Sequence, residues 1–573
     1  MDTIEQNTSG LPISITEKIT LNALNDPYGV AMMHPSGRDN AARIIFSLQT
    51  FKMLNEESDV IAHQLEEAGL VKGMRTLVFM EPGPDQTAVF HALFKIGAVP
   101  VIISPGLSRS EFLQCVKDAS AEAFIGSPRG HLSRLINASC FNSVNTVITM
   151  GRFRLWKGHL VSPVVEEIRA YSTQPVAPDE SALIFYTQGI TGRPKGVIHT
   201  VQTLGATLSL LNGLMDFKQG DTALCLHPFF AILFPAMGIT SITPPLDLNY
   251  PLEADMERLT GLIRKAGVTH IMASPAFFSM MGGHLAEMGL SLPSIRKIIC
   301  FGAQVIPEYM ADFMATIPED ASMTLCYGST EAFPVSAFDI REMFSDTKHL
   351  SEKGFGICVG KPMPECQTGL IPIRDEVFSH FDADFFLPDG EVGELAVQGD
   401  HVSRRYFENP DGEANAKMKG PDQTLWHRTG DLAWRDKKGR LWLCGRKSSM
   451  VKTAQGPLYA LSCETIFNTH PEVQRSALVG IGDSTEKVPV VIVELRQKCG
   501  KKRKAAIFEE LFDIAKENGV TSTIDTILFH DALPVDGYHL TEIMRDELVA
   551  YAQKQVQGHV QAQEEEPQSG SKS

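Results

Sequence analysis

At 573 residues, with 43% hydrophobic and 21% charged side chains, the chain has a globular composition and is too long for one core, so two or more domains are expected. A net charge of −16 argues against a nucleic-acid surface, which takes a basic domain, but leaves room for a local basic pocket. The longest apolar run, residues 229–240, is broken by Pro235 and too short to cross a bilayer. No secretory pattern opens the chain at Met1-Asp2-Thr3-Ile4-Glu5, and ten cysteines without a C-x-x-C pair point to reduced thiols, so a cytoplasmic setting is expected.

Val60, Ile61 and Leu65 at helical spacing predict a helix over residues 56–68, with Phe51-Lys52-Met53-Leu54 leading into it. A clear unit follows: a strand at Thr76-Leu77-Val78-Phe79-Met80, a Pro-Gly-Pro turn, a helix with Val89, Leu93 and Phe94 on one face, Gly97 as its stop, and a strand over 99–103. Strand, helix and strand at that spacing imply a right-handed crossover between parallel strands. Ser108-Arg109-Ser110-Glu111 is a capping box opening the next helix. Strands at 123–126 and 146–149 continue the alternation, and Ser181-Ala182-Leu183-Ile184-Phe185 reads as a buried strand. Further strands are read at 269–273, 297–301 and 323–327, with helices at 275–288 and from Pro307. This alternation predicts an α/β fold, a large layered N-terminal domain with mostly parallel sheets. Ligands of such sheets sit off the carboxyl ends of the strands.

After about residue 355 the texture turns to short strands such as Val392-Gly393-Glu394-Leu395-Ala396-Val397, a β-rich subdomain. A small mobile α+β domain then has a helix around Glu464, strands at 477–480 and 488–493, a helix over 503–518 and a last helix from His539. The expected division is 1–445, 446–556, and a disordered low-complexity tail over 557–573.

Three segments carry polar chemistry. The strand at 181–185 runs into Tyr186-Thr187-Gln188-Gly189-Ile190-Thr191-Gly192-Arg193-Pro194-Lys195-Gly196. Its glycines let the backbone turn with positive φ and approach a ligand, Thr187 and Thr191 add hydroxyls, and Lys195 adds a cation. Such a loop suits a polyphosphate, although taken alone it also fits an ordinary Gly/Pro turn. It is not the G-x-x-x-x-G-K-S/T loop, because Gly196 follows the lysine, and no helix opens there. In Tyr327-Gly328-Ser329-Thr330-Glu331 a hydroxyl and a carboxylate stand together after a strand, where they suit phosphate and Mg²⁺ or simply cap a turn. In Trp426-His427-Arg428-Thr429-Gly430-Asp431, Asp431 can accept both hydroxyls of a ribose from a turn, or satisfy the turn itself.

In this order and spacing the segments resemble the core motifs of the adenylate-forming superfamily, over roughly residues 180–545. That superfamily includes acyl-CoA synthetases, luciferases and peptide-synthetase adenylation domains. The resemblance implies an acid-activating enzyme that uses ATP and Mg²⁺. Thr187, Gly189, Thr191, Gly192 and Lys195 would form its phosphate loop; Gly302 and Ala303 would line the adenine pocket with backbone, and Tyr327 would pack on adenine beside Gly328. Thr330 would meet phosphate, Glu331 would hold the metal, and Asp431 and Arg446 would hold the ribose, with a hinge at Ser448.

Three stretches look closer still to the β-lactone synthetases of bacterial olefin biosynthesis: YGSTEAFPVS from Tyr327, GRLWLCGRK from Gly439, and CETIFNTHPEVQRSALVGIG from Cys463. This likeness implies a 2-alkyl-3-hydroxy fatty acid activated with ATP, whose own 3-hydroxyl displaces AMP and closes a four-membered ring without coenzyme A. Other enzymes of a hydrocarbon pathway would be its partners. Phe229, Phe230, Phe234 and Met237 fall where relatives place their acyl pocket; core packing is the alternative for each.

The chain departs from the family at Gln188 and Ile190, which stand where hydroxyl residues are usual. Glu542 stands where a lysine of the small domain reaches the carboxylate and the α-phosphate, and a carboxylate there opposes the charge that cations are placed to stabilise. Lys452 is the candidate substitute if the small domain rotates. Two rival expectations follow: a fatty-acid ligase to coenzyme A or a carrier protein, and a degenerate nucleotide-binding homologue acting as a scaffold.

Overall fold

The computed structural model describes residues 14–39, 44–104, 106–151, 158–165, 167–187, 194–244, 246, 253–482, 484–536 and 543–564. Two large sheets carry the candidate site. The first runs, in spatial order, through Arg405–Tyr406, Lys195–Thr200, Ser181–Thr187, Val99–Ile103, Arg75–Phe79, Ala123–Gly126, Thr146–Met150 and His159–Val161. From Ser181–Thr187 to His159–Val161 neighbouring strands are parallel, as the strand–helix–strand spacing requires. Their apolar runs are buried on both faces, the usual state of a covered parallel sheet.

The second sheet has a parallel centre of Thr240–Ile242, Thr222–Cys225, His270–Ala273, Lys297–Phe301 and Ser322–Ser329. It then becomes antiparallel through Ala332–Asp339, Ile357–Pro362, Leu441–Arg446, Leu425–Arg435, Gly393–Gln398 and Gln367–Ile371. The change of texture near residue 355 is this switch. Helices Phe51–Glu67 and Pro84–Ile96 pack against the first sheet through Leu54, Ile61, Ala88 and Leu93, all fully buried.

The C-terminal region has its own sheet, Val473–Ile481 antiparallel to Val488–Leu495, which is parallel to Thr526–Phe529. Helices Ala460–Phe467 and Lys501–Glu517 bury Cys463, Phe467, Ile507 and Leu511 against Leu478, Val491 and Val493. All ten cysteines are free thiols. Among the described residues no helix is long and apolar enough to cross a membrane.

Four expectations are corrected. Phe51 starts its helix instead of leading into it, because the Thr50 hydroxyl accepts the Met53 N–H and caps the turn there. Asp431 lies within the strand Leu425–Arg435, not in a turn. The segment Tyr327–Glu331 is the end of a hairpin between antiparallel strands, with a register shift between Tyr327 and Ser329. The last helix spans Arg545–Glu564, since Ile543 is held in a bridge to Val535, and its helical turns continue past 556 into the stretch read as tail.

Candidate active site

Lys195 is delivered by a hairpin. Ser181–Thr187 and Lys195–Thr200 are antiparallel, and Thr187 stands opposite Lys195 across the pair. Gly196 is required there: a Cβ would lie 2.9 Å from the Tyr186 ring and 3.2 Å from Phe407. The strand thus keeps Lys195 at its mouth and places His199, two alternations on, along the same face. Gly302, at φ +90°, turns the chain off the end of Lys297–Phe301.

Two cavities meet at these strand ends. One, of about 310 Å³, is bordered by Gly302, Ala303, Tyr327, Gly328, Asp431 and Arg446, and closed by Glu464 and Arg545 from the C-terminal region. The other, of about 290 Å³, is bordered by Thr187, Lys195, Phe229, Phe230, Thr330 and Glu331. Gly302, Gly328 and Arg446 line both, so the two spaces are continuous there.

In the first cavity Asp431 and Arg446 face each other in register on adjacent strands, and Arg446 Nη1 lies 3.1 Å from Asp431 Oδ1. The Tyr327 hydroxyl donates to Asp431 Oδ2 at 2.5 Å. Burial, and then the Asp431 carboxylate, push the phenol well above its ordinary range, so it remains a donor. Asp431 therefore presents a carboxylate held from two sides, with lone pairs left for a diol. At the floor Arg545 donates to Glu464 Oε1 at 2.5 Å and to the Leu478 carbonyl at 2.9 Å.

A charged cluster backs Lys195 and Glu331 at the edge of the second cavity. The Tyr406 hydroxyl donates to Glu331 Oε1 at 2.7 Å. The ammonium groups of Lys195 and Lys417 lie 5.3 and 5.5 Å from the centre of the Tyr406 ring. Lys417 is buried, donates to the Ser403 carbonyl, and is paired in register with His427. Burial brings the Lys417 ammonium down to about 8 against the opposing pull of Glu331. Burial, reinforced by Lys417, brings His427 down to about 3, so its imidazole is neutral at pH 7.

Glu331 is pushed up by its dry surroundings, but any charge on His427, the Tyr406 hydroxyl and Lys417 outweigh this and hold it below the ordinary carboxylate value. With His427 neutral, the hydroxyl and the ammonium supply that stabilisation, and Glu331 stays ionised. One ionised carboxylate beside the Thr330 hydroxyl fits Mg²⁺, which is held by one or two carboxylates together with substrate phosphates and water. Among the described residues no group of three His, Cys, Asp or Glu gathers into an all-protein metal site.

Of the residues singled out in the sequence, Thr187, Lys195, Gly302, Ala303, Tyr327, Gly328, Thr330, Glu331, Asp431 and Arg446 border these cavities, as do Phe229 and Phe230. Phe234 does not: it is 1% exposed and packs on Phe217 at 5.8 Å in the core, with Met237 against the same cluster. Lys452 borders neither cavity; it stands on Val451–Thr453 with its side chain 61% exposed and its ammonium 3.7 Å from Asp375. Gln188, Gly189, Ile190, Thr191, Gly192 and Glu542 lie outside the described residues.

Sequence reading missed His199 and Asp536, which line the second cavity, and Tyr406, Lys417 and His427, which stand behind Glu331 and Lys195. His199 was within reach, because period-two spacing from Lys195 puts it on the same face. Tyr406, Lys417 and His427 come together only through strand pairing, which no local spacing announces.

A model of AMP-binding enzymes matches residues 36–407. The chain is 34% identical over 537 residues to an olefin beta-lactone synthetase of Xanthomonas campestris pv. campestris, covering 92% of this chain and 95% of that protein. It is 34% identical over 555 residues to an olefin beta-lactone synthetase of Stenotrophomonas maltophilia, covering 95% and 99%. Its fold superposes on O-succinylbenzoate coenzyme A synthetase from Bacillus subtilis in complex with ATP and magnesium ion, with a TM-score of 0.70, 20% identity, and coverage of 93% and 98%.

Proposed function

The chain belongs to the AMP-binding enzyme family, and from that membership we propose that it activates a long-chain 3-hydroxy fatty acid with ATP and closes it to a β-lactone with release of AMP. The near full-length likeness to two olefin beta-lactone synthetases carries this reading. The geometry supports it, since a nucleoside-sized space and an acid-sized space join at Gly302, Gly328 and Arg446.

In the first step the acid's carboxylate oxygen attacks the α-phosphorus and pyrophosphate leaves. Asp431 accepts from the ribose hydroxyls with Arg446 beside it, the backbone at Gly302 and Ala303 borders the base, and Lys195 and Thr330 face the phosphates. Glu331 would hold Mg²⁺, which neutralises polyphosphate charge when bound. In the second step the 3-hydroxyl attacks the acyl carbon and AMP leaves. Nucleophile and electrophile share one molecule, so holding the chain folded supplies most of the advantage. Phe229 and Phe230 exclude water that would otherwise hydrolyse the adenylate.

We place the division of the chain near Gly445–Arg446, with the region beyond it acting as the cap over the nucleotide. The test is product analysis: ATP and a 3-hydroxy acid with a long chain, with and without coenzyme A, followed by AMP release and lactone detection. Lactone and AMP without coenzyme A are expected; a thioester formed only with coenzyme A would replace this reading by the ligase. Glu542 is expected to slow activation, so Glu542→Lys should raise pyrophosphate exchange, and equal rates would remove Glu542 from the step.

A further inference from the structure

The acid-side cavity sets the aromatic rings of Phe229, Phe230 and Phe333 against polar side chains that include His199, His227 and Thr207. His199 lines it, is 7% exposed, and its Nδ1 has no hydrogen-bond partner among the described residues. The ring is fixed by stacking on Phe229, with centroids 6.4 Å apart and planes at 29°. A buried polar atom left without a partner is destabilising, and such atoms persist where a ligand completes them.

The position selects the ligand group. In an acyl adenylate the 3-hydroxyl lies two carbons from the carbonyl, so its partner must stand just beyond the cation that meets the phosphate. His199 lines the same cavity on the same strand face as Lys195, four residues or about 13 Å of strand further on, within the span of a lysine side chain, the phosphate and the first three acyl carbons. Resting on the function proposed above, we propose that His199 accepts the hydrogen bond of the substrate's 3-hydroxyl and then takes its proton as the ring closes.

The step balances. The bond from the 3-oxygen to the acyl carbon forms, the bond from the acyl carbon to the AMP phosphate oxygen breaks, and its electron pair leaves with AMP. The hydroxyl proton moves to the imidazole and from there to water. Burial holds His199 down at about 4, so it is neutral and ready to accept, while the Glu331 carboxylate acts in the opposite sense and favours the imidazolium as it forms. No other reactant is needed.

Three proteins and two substrates test this: the native chain, His199→Leu and His199→Gln, each with a 3-hydroxy acid and with the same acid lacking the hydroxyl. Pyrophosphate exchange with the deoxy acid reports activation alone and should agree within about threefold among the three, showing that fold and nucleotide site are intact. The native protein should prefer the hydroxy acid in exchange by about tenfold or more, because a site built to bond a hydroxyl rejects the analogue without it. His199→Leu should lose that preference and release lactone at least about 100-fold more slowly. His199→Gln retains an acceptor but no base, so it should keep the preference and lose lactone release.

Native lactone release in His199→Leu would overturn the proposal. So would an equal fall of deoxy exchange and lactone release, which marks a structural role. Deoxy exchange by the native protein without lactone from any 3-hydroxy acid would instead sink the underlying function, and this assignment with it.

Discussion

Asp431 is engaged twice before any nucleotide arrives, by the Tyr327 hydroxyl and by Arg446. These contacts fix the carboxylate, so Asp431→Asn keeps its shape and removes its charge. Hydrogen bonds to charged groups contribute about 1.5–3 kcal/mol, roughly ten- to a hundredfold in binding. The Michaelis constant for ATP in pyrophosphate exchange should rise by about that factor, with a smaller change in kcat. An unchanged constant for ATP would dismiss the ribose role. Asp431 and Arg446 were legible in the sequence because each lies in a short polar segment of distinctive composition. Lys417 was not, since a single lysine in a strand reads as a solvated side chain, and only pairing with His427 turns it toward Glu331.

The strand–helix units were legible because each repeats one device: an apolar run, a glycine or proline turn, and a helix with one apolar face. The hairpins were less so, because an antiparallel return after a strand carries the same local signals as a loop. Gly328 shows what that hairpin demands. A Cβ there would lie 2.5 Å from the Ala332 carbonyl oxygen and 3.0 Å from the Phe333 ring, and the first of these is backbone that cannot swing away. Gly328→Ala should therefore spread the strands that carry Thr330 and Glu331. The expected outcome is a loss of about 1–3 kcal/mol in urea unfolding together with at least about a tenfold fall in exchange. Stability lost with activity intact would separate the hairpin from the site.

A different contact ties helix Pro84–Ile96 to Phe51–Glu67. The Lys95 ammonium is buried and donates to Asp59 Oδ1 at 2.6 Å, Ser58 Oγ at 2.8 Å and the Asn55 carbonyl at 3.1 Å. Removing one member leaves the other charge buried, so Asp59→Ala should cost about 3–5 kcal/mol. Replacing both, Lys95→Met with Asp59→Leu, should recover most of that loss. A double variant as unstable as the single one would show that the ammonium's hydrogen bonds, not its unpaired charge, set the energy.

At the scale of the whole molecule, composition correctly foretold free thiols and the absence of a spanning helix among the described residues, but it could not show where the histidines go. His91, His131, His199, His270, His401 and His427 are all buried. Burial is the largest cause holding each imidazole below its ordinary value, to about 3 for His91 and His427 and about 4 for the other four. The sign of the consequence follows from proton counting. Well above pH 6.5, by about a unit or more, these groups are neutral in both folded and unfolded chains, and their linkage fades. As pH falls from about 6.5 toward 4, the unfolded chain takes up protons that the folded chain refuses, so stability falls with pH. Each refused proton contributes about 1.4 kcal/mol per pH unit, and several acting together make the slope steep. The urea midpoint should be level between pH 8 and 7 and drop sharply between 6.5 and 5, with unfolding at pH 5.5 absorbing several protons in calorimetry across buffers of different ionisation enthalpy. His131 Nε2 lies 3.0 Å from the Thr149 hydroxyl and His131 borders neither cavity, so His131→Gln should lower the uptake by about one proton without touching exchange. A midpoint that stayed level down to pH 5 would mean that burial does not hold these imidazoles, taken together, below their ordinary value.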